Sequence, residues 1–409
     1  MRNLLRSLAL LAVLMPAQAG AIEIYSDEAT GTDLSIGGFM QPYYRWLQDL
    51  CVPSSNQAPD GSYPCTANGE ESPSGFGLTR ARFQFGGHAI ERAEFLLIVE
   101  SIPSLQLLEA QINTTIIDGL IWRIGRYRVP YSGQELVSES RLGMDRAEII
   151  RSTPGRQLGT SLRLELADMI DTLPDGFVNA EFGIFNGESD KARSPVNNID
   201  DGFLVGGRLE VAPLGVEHHR EEGDLRPVSD RDEIEVIVGG GYSYTYAQQE
   251  GYVEAVFGGD LTVKYQGAFL YAEYMKANRN YDVQADRFAE GYNVQLGYMI
   301  PAPWFRDHIE IVGRYEYYDP TQPVRNDPTD IDALTPTGAG GGPASSRQQG
   351  QYNYIGGINW FIDGSHDFKF QASYTHRVAS EEWTGSRRSA GIDKDETDDS
   401  FLAQLTYRF

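Results

Sequence analysis

Beyond its N-terminus the 409-residue chain has no run of 18 apolar residues, which excludes a membrane protein built of spanning helices. Leu-rich helical stretches are also missing, and nothing in the middle reads as a linker between two domains. Lysine is scarce: Lys191, Lys264, Lys276, Lys369 and Lys394 are the five, and none lies between residues 100 and 170. Cysteine is limited to Cys51 and Cys65, with no CxxC spacing and no neighbouring histidine, so zinc and thioredoxin-type motifs are absent. Histidine is rare as well (His88, His218, His219, His308, His366, His376), and no nucleophile motif stands beside any of them. Glu217-His218-His219 lacks the i, i+4 spacing of a helical zinc site, and Gly338-Ala339-Gly340-Gly341-Gly342 lacks the Lys-Ser/Thr of a phosphate-binding loop. The sequence thus points to no enzyme, no metal and no cofactor.

These absences do not reach a β-barrel, because a barrel strand shows only every second residue to lipid. What the chain does contain fits one. Arg2 and Arg6, then Leu8 to Met15, then Ala17-Gln18-Ala19 form a secretory signal, with cleavage after Ala19 or after Ala21. A short helix of a cytosolic protein is the competing reading. Residues 1–21 are therefore assigned to the signal and 22–409 to one outer-membrane domain. Removing the signal takes two arginines and no acid, so the formal charge of −24 becomes −26. Export also favours a disulfide between Cys51 and Cys65, closing a Pro/Ser/Asn/Gly-rich loop and contributing about 3 kcal/mol.

Period-2 alternation is the dominant pattern. Ile309, Ile311, Gly313, Tyr315 and Tyr317 alternate with Glu310, Val312, Arg314 and Glu316, and Phe401, Ala403, Leu405, Tyr407 and Phe409 with Leu402, Gln404, Thr406 and Arg408. A soluble sandwich alternates similarly, but with shorter strands. The spacing predicts sixteen strands, over 33–47, 75–86, 93–101, 105–115, 119–128, 156–167, 177–186, 202–212, 233–247, 258–266, 267–278, 289–300, 308–319, 350–361, 365–377 and 399–409. With both termini in the periplasm, connections alternate long outside and short inside, except for the charged 213–232 turn. Trp46, Trp122, Tyr317, Tyr318, Trp360 and Tyr407 lie near strand ends, as interfacial girdles do. The terminal Phe409 ends an aromatic alternating strand, resembling the signal read by the barrel assembly machinery. The fold class expected is all-β: a transmembrane antiparallel barrel of 16 strands with its third external loop, 129–155, folded inward.

That loop lies in the one basic stretch of an acidic chain. Residues 123–163 hold eight arginines against Glu135, Glu139, Asp145 and Glu148. Arg141, Arg146 and Arg151 recur every five residues, and Arg156 follows. Arg45, Arg80, Arg82 and Arg123 fall on the polar, lumen-facing side of their strands, while Arg126 and Arg128 are out of phase with Arg123 unless Gly125 bulges or the strand ends there. Guanidinium groups stay charged when partly desolvated and bind oxyanions through two parallel donors, so rings of them select anions. Two readings stay open: an anion-attracting constriction, and a balanced one in which the four acids offset the arginines.

The runs IGRYRVP (124–130), DRAEIIRSTPGRQLG (145–159), GIFNG (183–187) and VGGRLEVAPLG (205–215) resemble, in order and spacing, the phosphate-selective porin O/P family. The resemblance covers most of the mature chain. It implies a sixteen-stranded, trimeric outer-membrane channel for small anions, with the basic positions Arg126, Arg128, Arg146 and Arg156, then Arg141 and Arg151, lining the path. A lysine cluster is absent from this part of the chain. The partners implied are outer-membrane lipid and lipopolysaccharide, the assembly machinery, small anions and further copies of the chain, with no nucleic acid. A barrel serving as adhesin or receptor through long external loops is the alternative.

Overall fold

The computed structural model describes residues 21–47, 74–187, 202–216, 234–247, 252–281, 287–304, 308–323, 350–379 and 397–409. The strands are β1 (Ile22–Asp27), β2 (Thr32–Leu47), β3 (Gly75–Ile90), β4 (Ala93–Glu100), β5 (Gln106–Ile117) and β6 (Leu120–Arg128). After the long loop follow β7 (Arg156–Glu165), β8 (Val178–Phe185), β9 (Phe203–Val211), β10 (Glu235–Ala247), β11 (Tyr252–Tyr265) and β12 (Ala268–Tyr281). The chain ends with β13 (Arg287–Met299), β14 (Ile309–Pro323), β15 (Gln351–Phe361), β16 (Phe368–Ala379) and β17 (Thr397–Arg408). Each strand from β2 onward pairs antiparallel with the next, and β17 pairs back on β2 (Tyr407 opposite Met40, Phe401 opposite Trp46), so sixteen strands close a ring.

All sixteen expected strands are present, with two differences of extent and number. β11 begins at Tyr252 rather than residue 258, because it forms a ladder with β10 that runs unbroken from Glu235–Lys264 to Ala247–Tyr252. Gly258 and Gly259 hide that continuity in the pattern of side chains. β1 is additional. It pairs with β2 from Ile22–Ile36 to Asp27–Thr32. Phe409 exchanges backbone hydrogen bonds with Gly38 at 2.9 and 2.7 Å, so β1 continues the line of β17 along one edge of β2. At six residues it was too short to read from alternation.

The burial is inverted relative to a soluble protein. Leu296, Ile311, Ile358 and Trp360 are exposed, whereas Asn293, Gln295, Glu310, Arg314 and Asn359 are buried on the opposite face of the same strands. An apolar outside and a polar inside is the arrangement a barrel in lipid requires. Trp46, Trp122 and Trp360 are exposed on the outer face. Tyr318 is not a girdle residue: it is buried on the inner face, its hydroxyl 3.0 Å from Ser152 Oγ in the long loop.

Candidate functional site: the loop-crossed bore

Residues 129–155 leave β6 and return to β7 through a four-residue helix, α1 (Gly133–Leu136), and two 3-10 turns, Glu139–Arg141 and Glu148–Ser152. Ser132 caps α1: its Oγ accepts from Glu135 N at 3.1 Å and donates to Glu273 Oε1 on β12 at 2.6 Å. The base of the loop presses on β10 and β11 where they lack side chains. A Cβ on Gly241 would stand 2.4 Å from the Tyr131 carbonyl oxygen, and one on Gly258 would stand 2.9 Å from the Tyr131 hydroxyl. Gly239 and Gly241 thus serve close approach, of Arg208 and of Tyr131 respectively. Arg208 on β9 donates to the Tyr131 carbonyl at 2.7 Å, and Arg314 on β14 donates to the Asp145 carbonyl. On β16, Lys369 donates to the Leu142 carbonyl at 2.6 Å and Gln371 to the Gly143 carbonyl at 2.8 Å. Contacts to β9, β12, β14 and β16, from a loop rooted between β6 and β7, mean that the segment crosses the bore.

At its near side the loop is clamped by one carboxylate. Glu139 accepts from Arg146 at 2.6 Å and Arg128 at 3.2 Å, and it pairs with Arg82 of β3. Burial by itself would raise the Glu139 carboxyl, but Arg146, Arg82, Arg128 and Arg156 together hold it well below the usual carboxylate range. Arg82 also pairs with Glu100 at 2.8 Å, and Arg156 with Glu109 at 2.8 Å. Arg146 further donates to the carbonyls of Gln134, Glu135 and Val137, so its guanidinium is spent within its own loop. The cluster therefore sets four guanidiniums against three carboxylates. The opposite wall is richer in acid, with Glu210, Asp260, Glu273, Glu310 and Glu316 around Arg208, Arg314 and Lys369.

The sequence-derived arginines therefore separate. Arg82, Arg128, Arg146 and Arg156 come together around Glu139 and Glu109. Arg123 is buried and held by Asn113 at 3.1 Å and by Glu181. No register shift interrupts the β6–β7 pairing at Gly125; Gly125 takes φ +134 instead, and Arg128 turns inward where the strand ends. Alternation leaves Arg126 on the face of Ile124, where its Nε donates to the Leu108 carbonyl at 3.2 Å. Arg141 lines a cavity below the loop. Arg45 stacks on Tyr43 with its guanidinium 5.3 Å from the ring centre, and Arg80 donates to Gln41 Oε1 at 3.0 Å. Among the described residues neither has a carboxylate within ion-pair distance. The side chain of Arg151 and the cysteines Cys51 and Cys65 lie outside the described residues. Sequence reasoning passed over Lys369, 227 residues from the loop carbonyl it binds; its inward phase on β16 was the available signal.

Comparison with known proteins agrees with this architecture. The structure superimposes on the anion-selective porin from Comamonas acidovorans with a TM-score of 0.55, covering 92% of this chain and 100% of that one at 12% identity. It superimposes on the trimer form of OmpT from Vibrio cholerae with a TM-score of 0.53, covering 93% and 100% at 10% identity. An uncharacterized protein of Aquifex aeolicus (strain VF5) is 25% identical over 225 residues, 51% of this chain, and the match spans about half (52%) of that relative. The family model for phosphate-selective porin O and P matches residues 53–409. With a closed sixteen-stranded barrel and a match over most of its length, the chain belongs to the phosphate-selective porin O and P family of outer-membrane β-barrels.

Proposed function

We propose that the barrel is a water-filled channel through which small anions diffuse passively, past a constriction formed by loop 129–155. The observation that carries the anion preference is the pair Arg45 and Arg80. They project from the inner face of β2 and β3, and no described carboxylate lies within ion-pair distance of either. Arg82, Arg128, Arg146 and Arg156 are neutralised in place, so they shape the passage, and Arg45 and Arg80 supply its field. A guanidinium held by one neutral amide or one ring keeps donors free to replace part of an anion's hydration. In a KCl gradient the reversal potential is expected on the chloride side, and Arg45→Gln with Arg80→Gln is expected to move it toward potassium. A potassium-side potential in the unaltered protein would remove the anion assignment and leave the barrel standing. Phosphate preference over chloride has less support, because the lysines that would strengthen it are absent from residues 100–170.

The partner we propose is further copies of the same chain, in a trimer. Outer-face tyrosines are plentiful on the second half of the barrel (Tyr242, Tyr274, Tyr298, Tyr354, Tyr374). From residue 75 to residue 235 the chain contains Tyr127 and Tyr131 alone, and both are buried on the inside. A barrel half without an interfacial tyrosine girdle suits contact with protein better than contact with lipid headgroups. Chemical cross-linking of the detergent-extracted protein is expected to give a three-chain band; a single-chain band at every cross-linker length would refute it.

A further inference from the structure

β4 departs from a polar interior where the loop does not pack. It reads AEFLLIVE, and between Glu94 and Glu100 it is apolar on both faces. Register sets Ile98 between Gln84 and Glu109, and Leu96 between Gly86 and Gln111. Glu109 and Gln111 belong to the inner face, so two aliphatic side chains project into the bore. A passage for hydrated inorganic ions gains nothing from them, since apolar surface facing water is unfavourable.

Leu96 and Ile98 form one wall of a cavity of about 540 Å³ beneath the loop. That volume falls in the range of small-molecule sites, roughly 300–1,000 Å³. Its upper part carries the guanidiniums of Arg82, Arg128 and Arg141 with the hydroxyls of Ser138 and Ser140. Phe39 faces in from β2, its ring 5.5 Å from the Arg82 guanidinium. Beside Leu96, the Gln111 side-chain oxygen is buried and accepts no hydrogen bond. The lower part carries Glu94 and the Asp33–His88 pair, whose Oδ1 and Nδ1 are 2.6 Å apart.

We propose that this cavity is a transient binding site for small organic carboxylates that carry an apolar body and a hydroxyl or amide donor. The proposal rests on the anion-channel reading and names its solute class. The carboxylate sits against Arg141 and the hydroxyls of Ser138 and Ser140. The body, a ring or a branched chain of a few carbons, lies on Leu96 and Ile98. The donor meets Gln111 once that side chain turns toward the cavity, and its oxygen then has the partner a buried acceptor requires. Inorganic phosphate uses the guanidiniums and leaves the other two features idle. Asp33 and Glu94 below repel the carboxylate, which weakens the site and keeps the stay short.

The test is block of single-channel chloride current by 4-hydroxyphenylacetate, phenylacetate, acetate and inorganic phosphate in turn. 4-Hydroxyphenylacetate is expected to half-block at a concentration about tenfold below that of acetate or phosphate, as burial of one to two methylene equivalents implies. Leu96→Ser with Ile98→Ser is expected to bring it to the acetate value with the KCl reversal potential unchanged. Gln111→Leu, a milder change, is expected to make phenylacetate and 4-hydroxyphenylacetate equal while both stay tighter than acetate. Equal block by 4-hydroxyphenylacetate and acetate in the unaltered protein overturns the proposal, as does an unchanged ratio in both variants. Failure of the underlying anion reading would appear separately, as a potassium-side reversal potential before any organic solute is added.

Discussion

Glu139→Gln is expected to loosen the constriction loop and to make the channel more anion-selective. The substitution keeps shape and removes one charge from a site where Arg82, Arg128 and Arg146 all converge. The guanidiniums cannot follow by losing protons. The amide leaves one acceptor oxygen where there were two and turns an N–H₂ toward like donors. Removing one partner of a buried charged network costs about 3–5 kcal/mol. Most of that falls on the loop, because the strands carry their own ladders. Two readouts should move together: the KCl reversal potential further to the chloride side, and protease cleavage within 129–155 appearing in intact cells. Adding Arg146→Met should recover part of the protection, since residues of one network are not additive. Unchanged selectivity and protection would show that the far anchors on β14 and β16 hold the loop without the clamp.

The same carboxylate fixes a pH expectation. Its folded value lies below the ordinary one, which is about 4.3 for a free glutamate side chain. A depressed carboxylate contributes stability that is present above the unfolded value and is lost as pH falls through the folded value. The clamp is therefore intact at neutral pH and remains so into mild acid.

The barrel was legible because one face of each strand meets lipid and the other meets the bore, so period-2 alternation survives along nearly every strand. It failed where that cause was missing. β1 is a six-residue strand extending β17 past the point where β17 ends, and its residues are exposed on both faces. Gly258 and Gly259 blanked the alternation of β11, and Gly258 makes room for Tyr131 at the loop base. β4 was found from its β propensity, but its doubly apolar character was not recognised as a feature of the bore.

The arginine cluster was legible as a cluster and illegible as chemistry. Spacing placed Arg128, Arg146 and Arg156 near one another, but it could not tell which carboxylate each would meet. Glu100, Glu109 and Glu139 come from two strands and the loop, and their convergence on the guanidiniums depends on the fold of the loop. A net charge counted along a segment does not measure the charge a solute meets. Arg45 and Arg80 look ordinary in the sequence, yet they remain without ion pairs among the described residues because β2 and β3 place amide and aromatic neighbours beside them. Lys369 shows the converse: few lysines in the chain, and one of them latches the tip of the loop.

That latch sets up the second large effect. Lys369 is fully buried; its ammonium donates to the Leu142 carbonyl at 2.6 Å and to His366 Nδ1 at 3.0 Å. His366 can accept only through an unprotonated nitrogen, and its ring packs edge-on to Phe361 at 5.0 Å. Asp367 follows it in the turn and pairs with Arg408 at 3.6 Å. Lys369→Met removes the ammonium donor from the Leu142 carbonyl and is expected to raise closures and current noise about tenfold, the factor for losing one charge-assisted hydrogen bond. His366→Asn leaves the ammonium on Leu142 and is expected to stay as quiet as the unaltered channel. A quiet Lys369→Met channel would place the latch elsewhere. The two loop anchors then separate by experiment, Glu139→Gln moving the reversal potential toward chloride and Lys369→Met raising the noise.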